Sequence, residues 1–223
     1  KSDNSVACTS GTDAIELAIR SLNISHGEII MPSNTFFATA VAVKNCGCDP
    51  VLADFCIDDL SLDPKEVRRL ITEKTKAVIV VHVGGILSSK LSEIKKICDT
   101  HNLPLIEDAA HAHGSYSDIG YAGTIGDVGC FSFFPTKVMT TGEGGFVATN
   151  DRKIKKALSS FRDWGRACYC NTSKPGSVID GTACGNRFKN WLVGMPDTTY
   201  DHRYVFDEIG YNLKPLDIQA AIG

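Results

Sequence analysis

Gly126 to Gly145 reads GDVGCFSFFPTKVMTTGEGG. The apolar run Val128 to Phe134 has the length and composition of a buried strand. Thr140 to Gly145 can bend sharply, because glycine tolerates positive φ. Between them stands one lysine, Lys137. A lone lysine is ordinarily a solvated surface charge. A lysine held where a buried strand ends is placed for chemistry instead, and what it reacts with depends on its surroundings.

Outward from this segment the chain alternates between two hydrophobic periods. Ile15, Ala18, Ile19 and Leu22 fall at helical spacing, and Glu28 to Met31 is a short strand closed by Pro32. Thr35 to Lys44 predicts a helix, Pro50 to Phe55 a strand, and Pro64 to Ile71 a helix opened by proline in its first turn. Ala77 to Val83 (AVIVVHV) is apolar on both faces, as in a parallel sheet covered on both sides. A helix over Ser88–His101, strands over Pro104–Glu107, Val128–Phe133 and Gly145–Ala148, and a helix over Arg152–Arg162 complete the pattern. Strands alternating with helices predict an α/β domain whose mostly parallel sheet is sandwiched by helices. Ligands of such sheets bind outside the carboxyl ends of the strands, so His82, Asp108 and Lys137 are expected to gather on one rim.

Composition narrows the classes. The 223 residues suffice for one large domain, and 43% hydrophobic with 22% charged residues is ordinary for a globular chain. With a net charge of −3 and no basic stripe, nucleic acid is not an expected partner. No apolar run approaches a membrane span and Lys1 to Ser10 lacks a signal-peptide core, so a cytoplasmic location is expected. Among nine cysteines, Cys8, Cys46, Cys48, Cys56, Cys98 and Cys130 read as buried free thiols. Both ends look cut, since the first residues run almost at once into a helix and DIQAAIG stops within a helical pattern.

Four features converge on one chemistry. Asp108, after a buried strand in LIEDAAHAHGS, is either a structural cap or ion pair, or the partner of a cationic ring nitrogen. Pyridoxal 5'-phosphate (PLP) needs such a carboxylate and is held as a Schiff base on a lysine such as Lys137. Ser10-Gly11-Thr12 before the helix Asp13–Leu22 offers free amides and hydroxyls for a phosphate, and Ser132 adds a hydroxyl. Phe36 and Phe37 are either core residues or a platform for the ring.

On SGTDAIELA, PSNTFFATA, VLADF, IEDAAHAHGS, GDVGCFSFFPTK, TTGEGG and GYNLKPLDIQAAIG, the chain resembles the DegT/DnrJ/EryC1/StrS sugar aminotransferases, PLP enzymes of fold type I. The resemblance implies that Lys137 forms the Schiff base, Asp108 pairs with the ring nitrogen and Phe36 stacks on the ring. It assigns the phosphate to Gly11, Thr12 and Ser132, and sets His111 near the phenolic oxygen, where the family often has glutamine. Asn212 would reach the cofactor phosphate of a neighbouring subunit, which implies a homodimer with shared active sites. Residues 1–223 would then be the PLP-binding large domain, truncated at both ends and lacking a C-terminal small domain.

RDWGRACYC, CGNRF and YDHRYVFDEIGYNLK resemble one branch of the family, the CDP-4-keto-6-deoxyglucose 3-dehydratases. That branch replaces the lysine with histidine and carries a [2Fe–2S] cluster on four cysteines. Here position 137 is lysine, alanines stand at 109 and 110 where the first cluster cysteine falls, and NTSKPGSVIDGTA lengthens the gap between Cys170 and Cys184. Cys168, Cys170 and Cys184 are therefore expected to be plain thiols with no metal, a zinc site including His202 being the alternative. Histidine cannot form an imine with the cofactor, whereas lysine permits transimination. The expected activity is thus amino transfer, with glutamate as donor, to a nucleotide-linked keto sugar in deoxyamino sugar or cell-surface polysaccharide biosynthesis. The alternatives are a 3-dehydratase-like enzyme that kept a lysine, and a non-catalytic PLP-fold regulatory protein.

Overall fold

The computed structural model describes residues 4–167, 188, 192, 194, 195 and 197–223. In chain order its first elements are β1 (Asn4–Cys8), α1 (Gly11–Ser21), β2 (Glu28–Pro32), α2 (Phe37–Asn45), β3 (Asp49–Ala53), α3 (Pro64–Leu70) and β4 (Thr75–Val81). Then come α4 (Leu91–Thr100), β5 (Leu105–Asp108), the small hairpin β6 (Tyr116–Ser117) and β7 (Gly120–Tyr121), β8 (Val128–Ser132), β9 (Gly145–Thr149) and α5 (Arg152–Arg162). The chain divides into two compact units, Lys1–Leu158 with Leu213–Gly223, and Ser159–Asn212.

The first unit holds a seven-stranded sheet in the order β1-β9-β8-β5-β4-β2-β3. Strands β3, β2, β4, β5 and β8 pair in parallel, while β9 is antiparallel to both β8 and β1. The unbroken apolar runs are explained by burial on both faces. Ile30, Val78, Val80 and Leu105 pack with Val67 of α3 and Leu91, Ile94 and Cys98 of α4. The alternate residues Ile29, Met31, Ala77, Ile79 and Ile106, equally inaccessible, point to the opposite face. Each large aliphatic side chain buried this way contributes about 1.5–3 kcal/mol.

Local chemistry sets the helix starts. Ser10 caps α1 and Asp63 caps α3, each accepting from a first-turn amide. The six described cysteines are free, and all but the half-buried Cys56 lie in the core. Burial pushes the Cys46 and Cys98 thiols up to about 12, so they pack as apolar groups.

Three sequence expectations are corrected. Asn4–Cys8 is an edge strand of the sheet, not a lead-in to a helix. Helix α2 begins at Phe37 rather than Thr35, because Phe36 is extended (φ −66°, ψ 144°). Helix α4 begins at Leu91 rather than Ser88. Among the described residues no helix is long and apolar enough to cross a membrane.

In the second unit, Asp163 bridges Asn212 and Arg166 bridges Phe206 through the backbone. The Arg166 guanidinium lies 5.4 Å from the Trp164 ring centroid and 5.7 Å from that of Phe206.

Candidate active site

Asp108 is the last residue of β5 and pairs with Val81 on one side and Cys130 on the other. It lies at the carboxyl edge of the parallel strands and is only 7% exposed. Its Oδ2 accepts from the Thr39 hydroxyl at 3.0 Å, and its Oδ1 accepts from the Ala110 amide at 3.2 Å.

Beside it, the ends of β8 and β9 close around the start of α1. An added Cβ on Gly11 would fall 2.7 Å from the Ser132 Cβ and 3.0 Å from its Oγ. One on Gly145 would fall 2.3 Å from the Ser10 carbonyl oxygen. Both positions therefore demand glycine, and Ser132 is set directly against the helix start. The Asp13 carboxylate turns back onto the Thr9 and Ser10 hydroxyls, each at 2.6 Å. The first-turn amides of Gly11 and Thr12 have no intrahelical acceptor, as at any helix start. Gly11, Thr12 and Ser132 thus form a small cradle of donors, with the chemistry and the close backbone approach that a phosphate group needs.

Lys137 sits in a closed loop that leaves β8 and returns to β9. The Phe133 amide donates to the Gly144 carbonyl at 2.8 Å, and the Phe133 carbonyl accepts from the Thr141 amide at 3.2 Å and the Thr140 hydroxyl at 2.8 Å. The Lys137 amide donates to the Phe134 carbonyl at 2.9 Å. These bonds fix the backbone that carries the lysine. Its Nζ lies 2.8 Å from His111 Nε2. Burial, then the neighbouring Lys137 charge, hold the His111 imidazole below its usual range, against an upward pull from Asp108. His111 thus makes direct contact with Lys137 and lies within the field of the Asp108 carboxylate.

His82 stands at the rim by its backbone but not by its ring. Its amide donates to the Asp108 carbonyl at 3.1 Å. Its buried ring lies 2.9 Å from Glu107 Oε2, and its Nδ1 accepts from the Ser88 amide at 3.3 Å. The proton is thus on Nε2 and is donated to Glu107. Glu107, read from the sequence only as the end of a strand, also accepts from the amides of Gly123, Ile125 and Gly126 at 2.8, 2.7 and 2.5 Å. Burial pushes its carboxyl up, but the His82 bond and the Gly126 amide outweigh this and hold it below the usual range. The available signal was the pair Glu107-Asp108 itself: adjacent strand residues face opposite ways, so one carboxylate had to point away from the rim.

Phe36 and Phe37 are 77% and 75% exposed, which removes the reading of this pair as core. Asn212 lies in the second unit, bridged to Asp163. His202 is buried in that unit, while Cys168, Cys170 and Cys184 lie outside the described residues.

The sequence pattern of the DegT/DnrJ/EryC1/StrS aminotransferase family matches residues 1–223. The chain belongs to this family. It is 40% identical to the lipopolysaccharide biosynthesis protein RfbH of Salmonella typhimurium, over 96% of this chain and 49% of that protein. It is 36% identical to the dTDP-4-dehydro-2,6-dideoxy-D-glucose 3-dehydratase of Saccharopolyspora spinosa, over 96% of this chain and 46% of that enzyme. The solved aminotransferase of Psychrobacter cryohalolentis superposes with a TM-score of 0.81 at 30% identity, covering 99% of this chain and 51% of that one. The chain spans about half the length of the curated relatives it matches. DegT-family membership and the α/β fold of these transferases agree with the sequence reading.

Proposed function

We propose that the chain acts as a PLP-dependent sugar aminotransferase, moving an amino group from glutamate to a nucleotide-linked keto sugar in deoxyamino sugar or cell-surface polysaccharide biosynthesis. The observation that carries this is Lys137, held by the closed loop with its Nζ 2.8 Å from His111 Nε2, just after the strand next to the one that ends in the rim carboxylate Asp108. Family membership supports the cofactor, and the dTDP-linked dehydro sugar named for one relative supports the substrate class.

In this reading Gly11, Thr12 and Ser132 hold the phosphate, Phe36 covers the ring face and Asp108 holds a proton on the ring nitrogen. PLP, when bound, supplies an electron sink for charge that develops on a substrate carbon. Lys137 first anchors the cofactor through its amine. Once displaced by the amino donor, the free amine removes and returns the proton on the reacting carbon. His111 holds Lys137 and then lies beside the phenolic oxygen. Asn212 completes the site of a second subunit in a homodimer, a reading supported by the exposed Phe36 and Phe37. The free cysteines support a cytoplasmic location.

The test uses full-length protein incubated with PLP. A visible absorption band, lost on Lys137→Ala and bleached by glutamate with release of 2-oxoglutarate, is the expected result. No band, or a band unaltered by Lys137→Ala, overturns the reading. The second reading, a 3-dehydratase, is favoured by the named dehydratase relative. It would show in loss of water from the keto sugar without incorporation of nitrogen.

A further inference from the structure

We propose that Thr39 is a positioning residue, whose hydroxyl orients the Asp108 carboxylate and ties it to the turn that carries Phe36. This rests on the PLP reading of the site. Thr39 is 1% exposed and lies in the first turn of α2. Its Oγ1 stands 3.0 Å from Asp108 Oδ2 and 2.9 Å from Thr35 Oγ1. A hydroxyl has one proton, and an ionised carboxylate can only accept. Thr39 therefore donates to Asp108 and accepts from Thr35, so the hydroxyls form a chain from Thr35 through Thr39 to Oδ2.

The same residue reaches the aromatic. The Thr39 amide donates to the Phe36 carbonyl at 3.2 Å. Thr39 thus binds both the backbone of Phe36 and the carboxylate of Asp108, linking the turn that carries the aromatic to the ring-nitrogen partner. With Oδ1 taken by the Ala110 amide, the bond to Thr39 fixes the rotation of a carboxylate that would otherwise turn about its side-chain torsions. Thr39→Val keeps the shape and removes the donor. Nothing on the apolar side chain can replace the bond.

The experiment measures the PLP dissociation constant of full-length protein by absorbance or fluorescence titration, beside the melting temperature of the cofactor-free form. Thr39→Val is expected to weaken PLP binding about 10- to 100-fold, the range for a hydrogen bond to a charged group, and Thr39→Ser to restore it to within a few-fold. If Thr39→Val does not fold, Thr39→Ala, which removes the hydroxyl without adding a methyl, carries the same expectation. A residue with only a packing role would lower the melting temperature and leave the dissociation constant unchanged, which overturns the proposal. So does a serine variant that binds as weakly as the valine one. If the wild-type protein itself binds no PLP, the functional reading fails, an outcome distinct from wild-type binding that Thr39→Val leaves intact.

Discussion

Lys137 Nζ and His111 Nε2 are 2.8 Å apart, in direct contact. An ammonium can only donate, so His111 accepts at Nε2 and carries its own proton on Nδ1. The contact joins the loop after β8 to the turn after β5, two segments that the sheet order makes neighbours.

This pairing predicts a stability change with pH. The His111 imidazole is held below its ordinary 6.5, by burial first and then by Lys137. The unfolded chain therefore binds this proton more readily, and the stability it confers is present above 6.5 and lost as pH falls toward the lower folded value. His113, also held down by burial and Lys137, titrates in the same sense. Thermal melts from about pH 8 to pH 5.5 should show the wild-type protein losing more stability than His111→Gln. Equal losses would mean that His111 is not held neutral.

Asp108→Asn should fold, because the amide oxygen can still accept from Thr39. It should bind PLP but transfer amino groups about 100- to 1000-fold more slowly, the range for losing one preorganised electrostatic contact at a reacting centre. Single-turnover rates with glutamate measure this. A rate within a few-fold of wild type would remove Asp108 from the chemistry.

Gly145→Ala places a methyl group 2.3 Å from the Ser10 carbonyl oxygen, against backbone rather than a yielding side chain. The expected cost is about 1–3 kcal/mol, as for overpacking elsewhere. Because Ser10 caps the helix start that forms the proposed phosphate cradle, the PLP dissociation constant should rise in the same variant. Urea unfolding and PLP titration read the two effects separately.

Glu107→Ala removes the acceptor of three amides and of His82. The cost should be about 3–5 kcal/mol, typical of breaking a buried ionic hydrogen-bonded set. Hydrogen exchange should accelerate first at Gly123, Ile125 and Gly126. In the wild-type protein the Glu107 carboxyl is held below 4.5, so its contribution is complete above that value and declines as pH falls below it.

Much of this was legible in one dimension. The strand cores were readable because burial on both faces leaves an apolar run, as in Val78 to Val81. Asp108 was readable because it closes such a run, and Lys137 because it stands in the loop shortly after one, which ends at Ser132 rather than Phe134. Short polar elements were not. Asn4–Cys8 becomes a strand only through pairing with Gly145–Thr149, a partner far along the chain. The hairpin of Tyr116–Ser117 with Gly120–Tyr121 is too short to carry a period.

The amino-acid sequence by itself determined the α/β architecture, the family and the place of Lys137 between an apolar run and a glycine-rich turn. These follow from local residue order, which periodicity and motif express directly. Only the tertiary structure decided which carboxylate of Glu107-Asp108 faces the rim, that the His82 ring serves Glu107, that Phe36 is exposed, and that His111 and Thr39 reach Lys137 and Asp108. Hydrogen bonds and burial are set by side chains converging from separate strands. That convergence depends on sheet order and register, which no local stretch of the chain encodes.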